Sequence, residues 1–384
     1  MKLSVCIITK NEKEKLERCL KYLLPYDIEL IVVDTGSTDG TCEMVGQYTQ
    51  KLYHFAWCDD FAAAKNYAVE QASNDLVMVI DSDEYLRPLS QEAFEEAIDQ
   101  AAAHPGEIGR ICRHNRYHMG DECREDTEWI NRIFDRRCYI YRGRIHEQLV
   151  KKERKAEDST GYDQTYRTVF HIDHDGYEGS RWERKEKAER NIRLLLQEYR
   201  ENPADTYVLY QLGKGYYMAE DYESAVAYFE KALGYDVDPH LEYVIDLVET
   251  YGYALLNSGN PQTALLLESV YEEFAGSADF QFLMGLIYMN NGRFTDAIAE
   301  FEKAVTHTEA KAAGVNSYLA YYNAGVICEC LGQTTRAKEY YKKCQTYEKA
   351  VKRLAALCEA DQDHARPDKR TPDLRLEEDE GTGI

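Results

Sequence analysis

Positive charge, long apolar segments and paired cysteines are all scarce in this sequence of 384 residues. Lysine and arginine number 46 against 69 aspartates and glutamates, so the formal net charge is −23 and general attraction to nucleic acid is not expected. The longest apolar stretch near the centre of the amino-terminal half is residues 76–80, far short of the ~20 residues that cross a membrane. Hydrophobic residues make up 44% of the chain, a globular composition with room for two or three domains.

The eleven cysteines are odd in number and include no CxxC pair. This pattern argues against a disulfide scaffold or a zinc ribbon, and it is typical of free thiols in a reducing compartment. Residues 1–9 form a short apolar run with one lysine, and the charged residues 10–14 follow. We interpret this start as a buried strand rather than a secretory signal, and we predict a cytoplasmic protein without a transmembrane segment.

The two halves of the chain differ in their periodicity. Up to about residue 175, short apolar runs at 3–8, 28–33, 52–57 and 76–80 alternate with amphipathic helical patterns. Such runs predict an α/β domain with a Rossmann-like mixed sheet, whose parallel strands are covered by helices on both faces. From about residue 205 the pattern is wholly helical and repeats.

The repeats are marked by glycines that are 39, 33 and 40 residues apart, at Gly213, Gly252, Gly285 and Gly325. This spacing is close to the 34-residue period of tetratricopeptide (TPR) repeats, which pack as an all-α solenoid. An aromatic residue follows the glycine at the same distance in three copies, and the copy at Gly252 is degraded. We predict an α/β domain at 1–177, a linker helix at 178–204, TPR-like repeats at 205–360 and a disordered tail at 361–384.

Polar residues follow three of the predicted strands, at positions 9–12, 34–41 and 81–84. Because open α/β sheets bind ligands at the carboxyl ends of their strands, we expect these clusters to form one site. Asp81 and Asp83 are spaced so that both carboxylates can face a divalent cation and a sugar hydroxyl. An isolated Asp-x-Asp is a weak signal, and the two companion clusters strengthen it.

These blocks resemble the family 2 glycosyltransferases, whose catalytic domain has the GT-A fold. The resemblance runs in order through residues 5–12, 33–41, 64–68 and 79–84, and it covers about the first 175 residues. It implies an inverting, metal-dependent enzyme of the hexosyltransferase type that uses a UDP-sugar donor and Mn²⁺ or Mg²⁺. The donor-binding residues that it implies are Thr9, Glu12, Asp34, Lys65, Asp81 and Asp83.

The resemblance also suggests individual roles for these residues. Thr9, Glu12 and Asp34 would line the base and ribose, and a carboxylate can accept a hydrogen bond from the uracil imide. Lys65 stands where the family often has arginine and would offset phosphate charge without a bidentate fork. Asp81 would contact the ribose or the sugar, and Asp83 would bind the metal.

A second metal ligand is suggested by residues 171–177, which resemble the His-x-Gly-Tyr block that closes related catalytic domains. His174 matches the motif histidine, and His171 is its nearby competitor. A neutral imidazole can complete a Mn²⁺ site beside Asp83.

The catalytic base has two candidates. Inversion requires a carboxylate that takes the acceptor's proton on the side opposite the leaving diphosphate. Glu147 lies in a block that resembles the family's His-Glu motif, and His146 would orient it or the acceptor, or be structural. Asp126 matches the Glu-Asp block of other branches, although its surroundings at 121–128 have the composition of an exposed acidic loop. We favour Glu147 and keep Asp126 as the alternative.

The repeats are compatible with more than one kind of acceptor. A solenoid groove commonly binds an extended peptide, which favours a peptide or protein acceptor. A surface-glycan or lipid-linked acceptor is the alternative, with the repeats forming a homodimer or docking on the catalytic domain. From a different class of function, the chain would be a non-catalytic TPR scaffold with a degenerate nucleotide-sugar-binding domain. The sequence does not reveal which sugar is transferred.

Overall fold

A computed structural model describes residues 2–119, 122–153, 164–174 and 181–364 of the chain. Within these ranges, the strands are β1 (Ser4–Thr9), β2 (Glu29–Asp34), β3 (Leu52–His54), β4 (Leu76–Asp81), β5 (Glu84–Leu86), β6 (Ile108–Met119), β7 (Glu122–Asp135), β8 (Tyr139–Arg142), β9 (Gln148–Lys151) and β10 (Thr165–His174). The helices that accompany them are α1 (Lys13–Leu23), α2 (Thr41–Val45), α3 (Phe61–Glu70) and α4 (Gln91–Ala103).

The helices of the second half are α5 (Arg181–Glu201), α6 (Thr206–Met218), α7 (Tyr222–Leu233), α8 (Glu242–Asn257), α9 (Pro261–Ala264), α10 (Tyr271–Phe274), α11 (Ala278–Asn290), α12 (Phe294–Ala304), α13 (Tyr318–Cys330), α14 (Thr334–Lys343) and α15 (Glu348–His364), with a 3₁₀ helix at Leu265–Val270. Helix α5 occupies the segment of the predicted linker, and the helices from α6 onward occupy the segment of the predicted repeats. Helix α15 extends four residues past residue 360, and residues 365–384 of the predicted tail lie outside the described residues.

The large sheet has the strand order β3-β2-β1-β4-β7-β6-β10-β5. Strands β1 to β4 are mutually parallel, as their uninterrupted apolar runs predicted. β7 joins β4 in the antiparallel direction, β6 pairs antiparallel with β7, β10 runs parallel to β6, and β5 closes the edge antiparallel to β10. The predicted α/β class is confirmed, and the extension beyond β4 makes the sheet mixed.

Helices cover both faces of the parallel strands. On one face, Leu16 and Leu20 of α1 pack with Ile7 of β1. On the other face, Ala64 and Ala68 of α3 lie against the sheet, and their small side chains allow the helix to approach closely. Asp60 accepts a hydrogen bond from the amide of Ala63 at 2.8 Å and so caps the start of α3. This capping fixes the helix that carries Lys65.

The repeats pack through contacts between glycines and aromatic rings. A Cβ atom added to Gly285 would lie 2.5 Å from a ring carbon of Phe301 on the partner helix, and Gly325 has the same relation to Tyr341. In the degraded copy Gly252 faces leucines, and Glu268 occupies the position of the aromatic. The neighbouring Leu267 packs against Gly252 instead, and the second helix of that copy is divided into short segments.

The repeats dock directly on the sheet domain. Thr127 donates its amide to the carbonyl of Lys311 at 3.2 Å, and Asp126 forms an isolated antiparallel bridge with Ala312. On the same side, Arg110 pairs with Glu242 at 2.5 Å. No described helix is long and apolar enough to cross a membrane.

Candidate active site

The carboxyl end of β4 carries a buried charge cluster. Asp81 Oδ1 lies 2.9 Å from Lys65 Nζ, and Asp81 Oδ2 lies 2.8 Å from Arg132 Nη2. The same Lys65 ammonium lies 2.7 Å from Glu147 Oε1, so it bridges a donor-site carboxylate and the predicted base. The sequence predicted that Lys65, Asp81 and Glu147 share a site, and the structure brings them together.

These charges hold one another ionised despite their burial. Burial raises the Asp81 pKa, but Lys65 and Arg132 outweigh it and hold the pKa well below its usual range. Burial lowers the Lys65 pKa, but Asp81 and Glu147 outweigh it and hold the pKa above its usual range. The site therefore keeps a fixed cation between two carboxylates.

A second layer of charge supports this cluster. Glu84 is fully buried, and its Oε1 lies 2.6 Å from Arg132 and 3.2 Å from Arg113. Glu128 lies 2.5 Å from the other side of Arg113, which outweighs the effect of burial and lowers the Glu128 pKa to about 2. Arginine suits this role because its planar fork can bind several oxygens at once.

Asp83 and His174 form the pair that was predicted to bind a metal. Asn115 donates its amide to Asp126 at 2.7 Å and to Glu128 at 2.8 Å, which fixes the orientation of that amide. Its oxygen then accepts from His174 Nδ1 at 2.7 Å, so the proton of a neutral ring is assigned to Nδ1. The acceptor nitrogen Nε2 lies 3.7 Å from Asp83 Oδ1.

This pair fits a divalent cation. Burial and Arg113 lower the His174 pKa, against the opposing effect of Asp83, which favours the neutral ring that a metal needs. A carboxylate oxygen and an imidazole nitrogen at this separation can bind the same Mn²⁺ or Mg²⁺ ion. His171, the competitor, projects from β10 toward the opposite face of the sheet, where it contacts His114.

Asp126 lies within β7, so the expectation of an exposed acidic loop at 121–128 is wrong for the described residues 122–128. Pairing with β6 determines this strand, and the composition of a short acidic segment does not reveal a long-range partner. Burial raises the Asp126 pKa, and Glu128 adds to the shift, while the hydrogen bond from Asn115 opposes it. Asn115 connects Asp126 to His174, so Asp126 lies near the pair that is predicted to bind a metal.

The predicted nucleotide residues line the ends of β1 and β2. Asp34 is buried and accepts hydrogen bonds from the amides of Gly36 and Ser37 at 3.0–3.2 Å, and these bonds outweigh burial and lower its pKa. Thr9 is buried beside it at the end of β1, and Glu12 accepts a hydrogen bond from the hydroxyl of Ser82. The three strand ends therefore meet, as the sequence predicted.

His146 lies on a loop between the sheet domain and the first repeat helix. Its backbone has a positive φ of 51°, and its carbonyl accepts from Gln148 at 3.1 Å. The residue is exposed, and the loss of surrounding solvent and the charge of Lys214 lower the His146 pKa to about 4. Gln148 also donates to the Tyr207 hydroxyl at 2.6 Å, so the repeats contact this loop.

The sequence analysis did not assign Arg113, Asn115 or Glu128 to the site. They lie on β6 and β7 with alternate side chains on the active-site face, opposite one another in the antiparallel register. The signal that could have identified them is the alternation of polar residues in the two segments that form β6 and β7. This alternation shows that the residues share one face of the sheet only when the pairing of the two strands is known.

Comparisons with known proteins agree with this geometry. Residues 4–146 match the family model described as Glycosyl transferase family 2. Residues 206–237, 252–315 and 318–353 match tetratricopeptide repeat models. The chain therefore contains a family 2 glycosyltransferase domain at its amino terminus, followed by TPR repeats.

Individual relatives cover both halves. A TPR repeat-containing protein of Synechococcus elongatus is 29% identical over 240 residues, which are 60% of this chain and 56% of that protein. The SPbeta prophage-derived glycosyltransferase SunS of Bacillus subtilis is 22% identical over 294 residues, which are 74% of this chain and 66% of that protein. The chain thus spans between 56% and 66% of the length of these two relatives.

Two further matches are partial. The lipopolysaccharide core biosynthesis glycosyltransferase LpsC of Rhizobium meliloti is 34% identical over 101 residues, which are 25% of this chain and 37% of that protein. A crystal structure of the TPR protein YrrB overlaps 46% of this chain and 84% of its own, with a TM-score of 0.37 and 22% identity.

Proposed function

We propose that this chain is an inverting, metal-dependent glycosyltransferase that moves a sugar from a UDP-sugar donor to an acceptor nucleophile. The main observation behind this proposal is that Lys65 pairs with Asp81 at the carboxyl end of the parallel sheet, two residues before Asp83. The charges of Asp81 and Lys65 are fixed by neighbouring residues before any ligand binds, and such preorganisation is what stabilises a departing diphosphate.

Buried polar atoms support a donor at this place. Among the described residues, Thr9 Oγ1, Arg132 Nε and the Tyr141 hydroxyl are buried without a hydrogen-bond partner. Buried polar groups are nearly always paired, so these three atoms favour a polar ligand that would complete them. Asp34 would accept from the uracil imide, and Glu12 would lie toward the ribose.

Asp83 and His174 are the residues that would hold the metal. A bound Mn²⁺ or Mg²⁺ ion supplies positive charge that stabilises the leaving diphosphate. Asn115 orients the His174 ring, and Lys65 provides a second positive charge near the leaving group.

For the base, we retain Glu147 and keep Asp126 as the alternative. Glu147 shares Lys65 with Asp81, so it lies at the centre of the charge cluster. Asp126 is supported by its raised pKa and by its position beside the repeats. A base with a pKa nearer neutrality transfers protons more efficiently, which is the argument for Asp126.

The acceptor would approach where the loop of His146 meets the first repeat helix. Tyr207 of that helix accepts a hydrogen bond from Gln148 of the sheet domain, and the charge of Lys214 lowers the His146 pKa. An aromatic and a basic side chain suit either a peptide or a glycan acceptor. We propose that the repeats contribute directly to acceptor binding.

Calorimetry of UDP binding to the whole chain, with and without Mn²⁺, tests the proposal. We expect micromolar binding that requires Mn²⁺ and is lost in Asp83→Ala, but is kept in the matched surface variant Asp99→Ala. Asp99 is exposed on α4 and pairs with Lys2. Absence of UDP binding under either condition would refute the transferase and favour the non-catalytic scaffold.

A further inference from the structure

Three metal-ligating side chains meet on the face of the sheet opposite the active site. His114 Nε2 lies 2.9 Å from His171 Nδ1 and 3.7 Å from Cys112 Sγ. All three ligand atoms lie within 4.8 Å of one another. We propose that Cys112, His114 and His171 bind a zinc ion.

The register of the sheet produces this cluster. β6 and β10 are parallel neighbours, with Cys112 opposite His171 and His114 opposite Asp173. Residues two apart in a strand share a face, so these four side chains form a two-by-two patch. Arg113, which lies between Cys112 and His114 on β6, and His174, which follows Asp173 on β10, belong to the other face and to the candidate active site.

The separations of the ligand atoms suit tetrahedral zinc. With Zn–N bonds of about 2.0–2.1 Å and Zn–S bonds of about 2.3 Å, two nitrogens lie about 3.3 Å apart and nitrogen and sulfur about 3.6 Å apart. The observed 2.9 Å between the imidazole nitrogens and 3.7 Å from sulfur to nitrogen differ from these by a few tenths of an ångström. The third separation, between the ligand atoms of Cys112 and His171, is at most 4.8 Å, so side-chain rotation can bring all three atoms to one ion.

The surroundings of the cluster allow a cation to enter and remain. Cys112 is buried, whereas both histidines are half-buried, so the cluster opens toward solvent on one side. Asp173 stands on the same patch and is held by Arg87, with its Oδ1 2.6 Å from Nη2. The three protein ligands leave the fourth corner to water, an arrangement that zinc accepts.

Zinc in this position would connect the two strands that carry Asn115 and His174 on the opposite face. The ion would therefore stabilise the part of the sheet that orients the proposed donor-site metal, without contacting the donor. This site uses sulfur and nitrogen, whereas Asp83 and His174 offer oxygen and nitrogen, so the two sites prefer different ions.

Cobalt substitution in the full chain tests the proposal, because Co²⁺ bound to a thiolate gives a near-ultraviolet charge-transfer absorption. We expect this band at one equivalent in the wild type, with loss of the band when Zn²⁺ is added. Zinc should also raise the melting temperature of the wild type by at least about 2 °C.

Variants identify the cluster responsible. The band should persist in Asp83→Ala and in Cys42→Ser, a control whose cysteine lies near Asp34 and His54 in the other described cluster of this type. It should disappear in Cys112→Ser and in His171→Gln, and circular dichroism would confirm that each variant is folded. If Cys112→Ser does not fold, His171→Gln decides the matter alone.

No band in the wild type would overturn the proposal. A band that survives in folded Cys112→Ser or in His171→Gln would overturn it as well, and so would a band that Cys42→Ser abolishes.

Discussion

In the sheet domain the buried carboxylate of Glu84 faces cations, whereas in the repeats the buried carboxylate of Glu249 faces another carboxylate. Glu84 is fully buried, and its Oε1 lies 2.6 Å from Arg132. Glu249 of α8 is 7% exposed, and burial together with the charge of Asp279 raises its pKa to about 8. Glu84 and Glu249 therefore differ in the sign of the charge that lies next to each carboxylate.

The difference corresponds to two roles: the sheet-domain carboxylates belong to the proposed active site, whereas Glu249 and Asp279 form hydrogen bonds that stabilise the repeats. At the proposed donor site, ionised carboxylates are positioned where charge is needed, and their counter-charges keep them ionised at low local polarity. In the repeats, Glu249 accepts a hydrogen bond from Ser277, and Asp279 accepts from the amides of Lys311 and Ala312. The hydrogen bonds to Asp279 position Lys311 and Ala312, the residues that contact β7.

The largest expected effect concerns the catalytic base. If Glu147 is the base, Glu147→Gln lowers kcat by about 10²–10⁴-fold, because proton transfer contributes that much, while UDP binding is retained. Asp126→Asn then reduces kcat far less. Steady-state kinetics of both variants with one donor and acceptor measure the difference.

The opposite ranking would assign the base to Asp126. It would also mean that the carboxylate with the raised pKa, beside the repeats, performs the chemistry, which breaks the contrast between the two regions.

The next effect is a pH dependence that originates in the repeats. The Glu249 pKa is raised from 4.5 to about 8, so the folded chain holds this proton more tightly than the unfolded chain. Raising the pH from about 4.5 toward 8 therefore reduces stability, by at most about 1.4 kcal/mol per pH unit from this group. Glu249→Gln should flatten that slope in denaturant melts.

Glu300→Gln is the matched control, since Glu300 is also buried in the repeats but its Oε1 lies 2.6 Å from Lys303. This change should leave the slope between pH 5 and 8 in place. An unaltered slope in Glu249→Gln would contradict the raised pKa.

The smallest effect tests the packing of the repeats. Gly285→Ala places a methyl group against Phe301, and overpacking of this kind costs about 1–3 kcal/mol. Gly276→Ala is the control, because a Cβ there has no neighbour within 4 Å, and we expect a change within about 0.5 kcal/mol. Urea denaturation compares the two, and equal stability would show that the glycine is not required for close packing.

Much of the fold could be predicted because local pattern and tertiary role coincide. The apolar run at 76–80 is β4 except for its final residue, and the helical face of Leu16, Cys19 and Leu20 is buried in α1. The glycine spacing likewise predicted the tetratricopeptide repeats. In each case the structure follows from a periodic pattern of residues that are close together in the sequence.

Other parts depended on contacts between distant segments. β6 and β7 extend the sheet beyond β4, and their polar residues gave no apolar run to recognise. Asp126 was placed in a loop because its neighbours are acidic, although pairing with β6 makes it part of a strand. The chain of contacts from Asp126 through Asn115 to His174 follows from that pairing.

By itself, the sequence determined the two-part architecture, the strand-end clusters of the donor site and the period of the repeats. Only the tertiary structure decided that Lys65 lies between Asp81 and Glu147, and that Lys311 and Ala312 of the repeats dock on β7. It also placed Cys112, His114 and His171 together. The physical reason is that periodicity is a local property of the chain, whereas the partner of a charge or of a strand edge is chosen by folding.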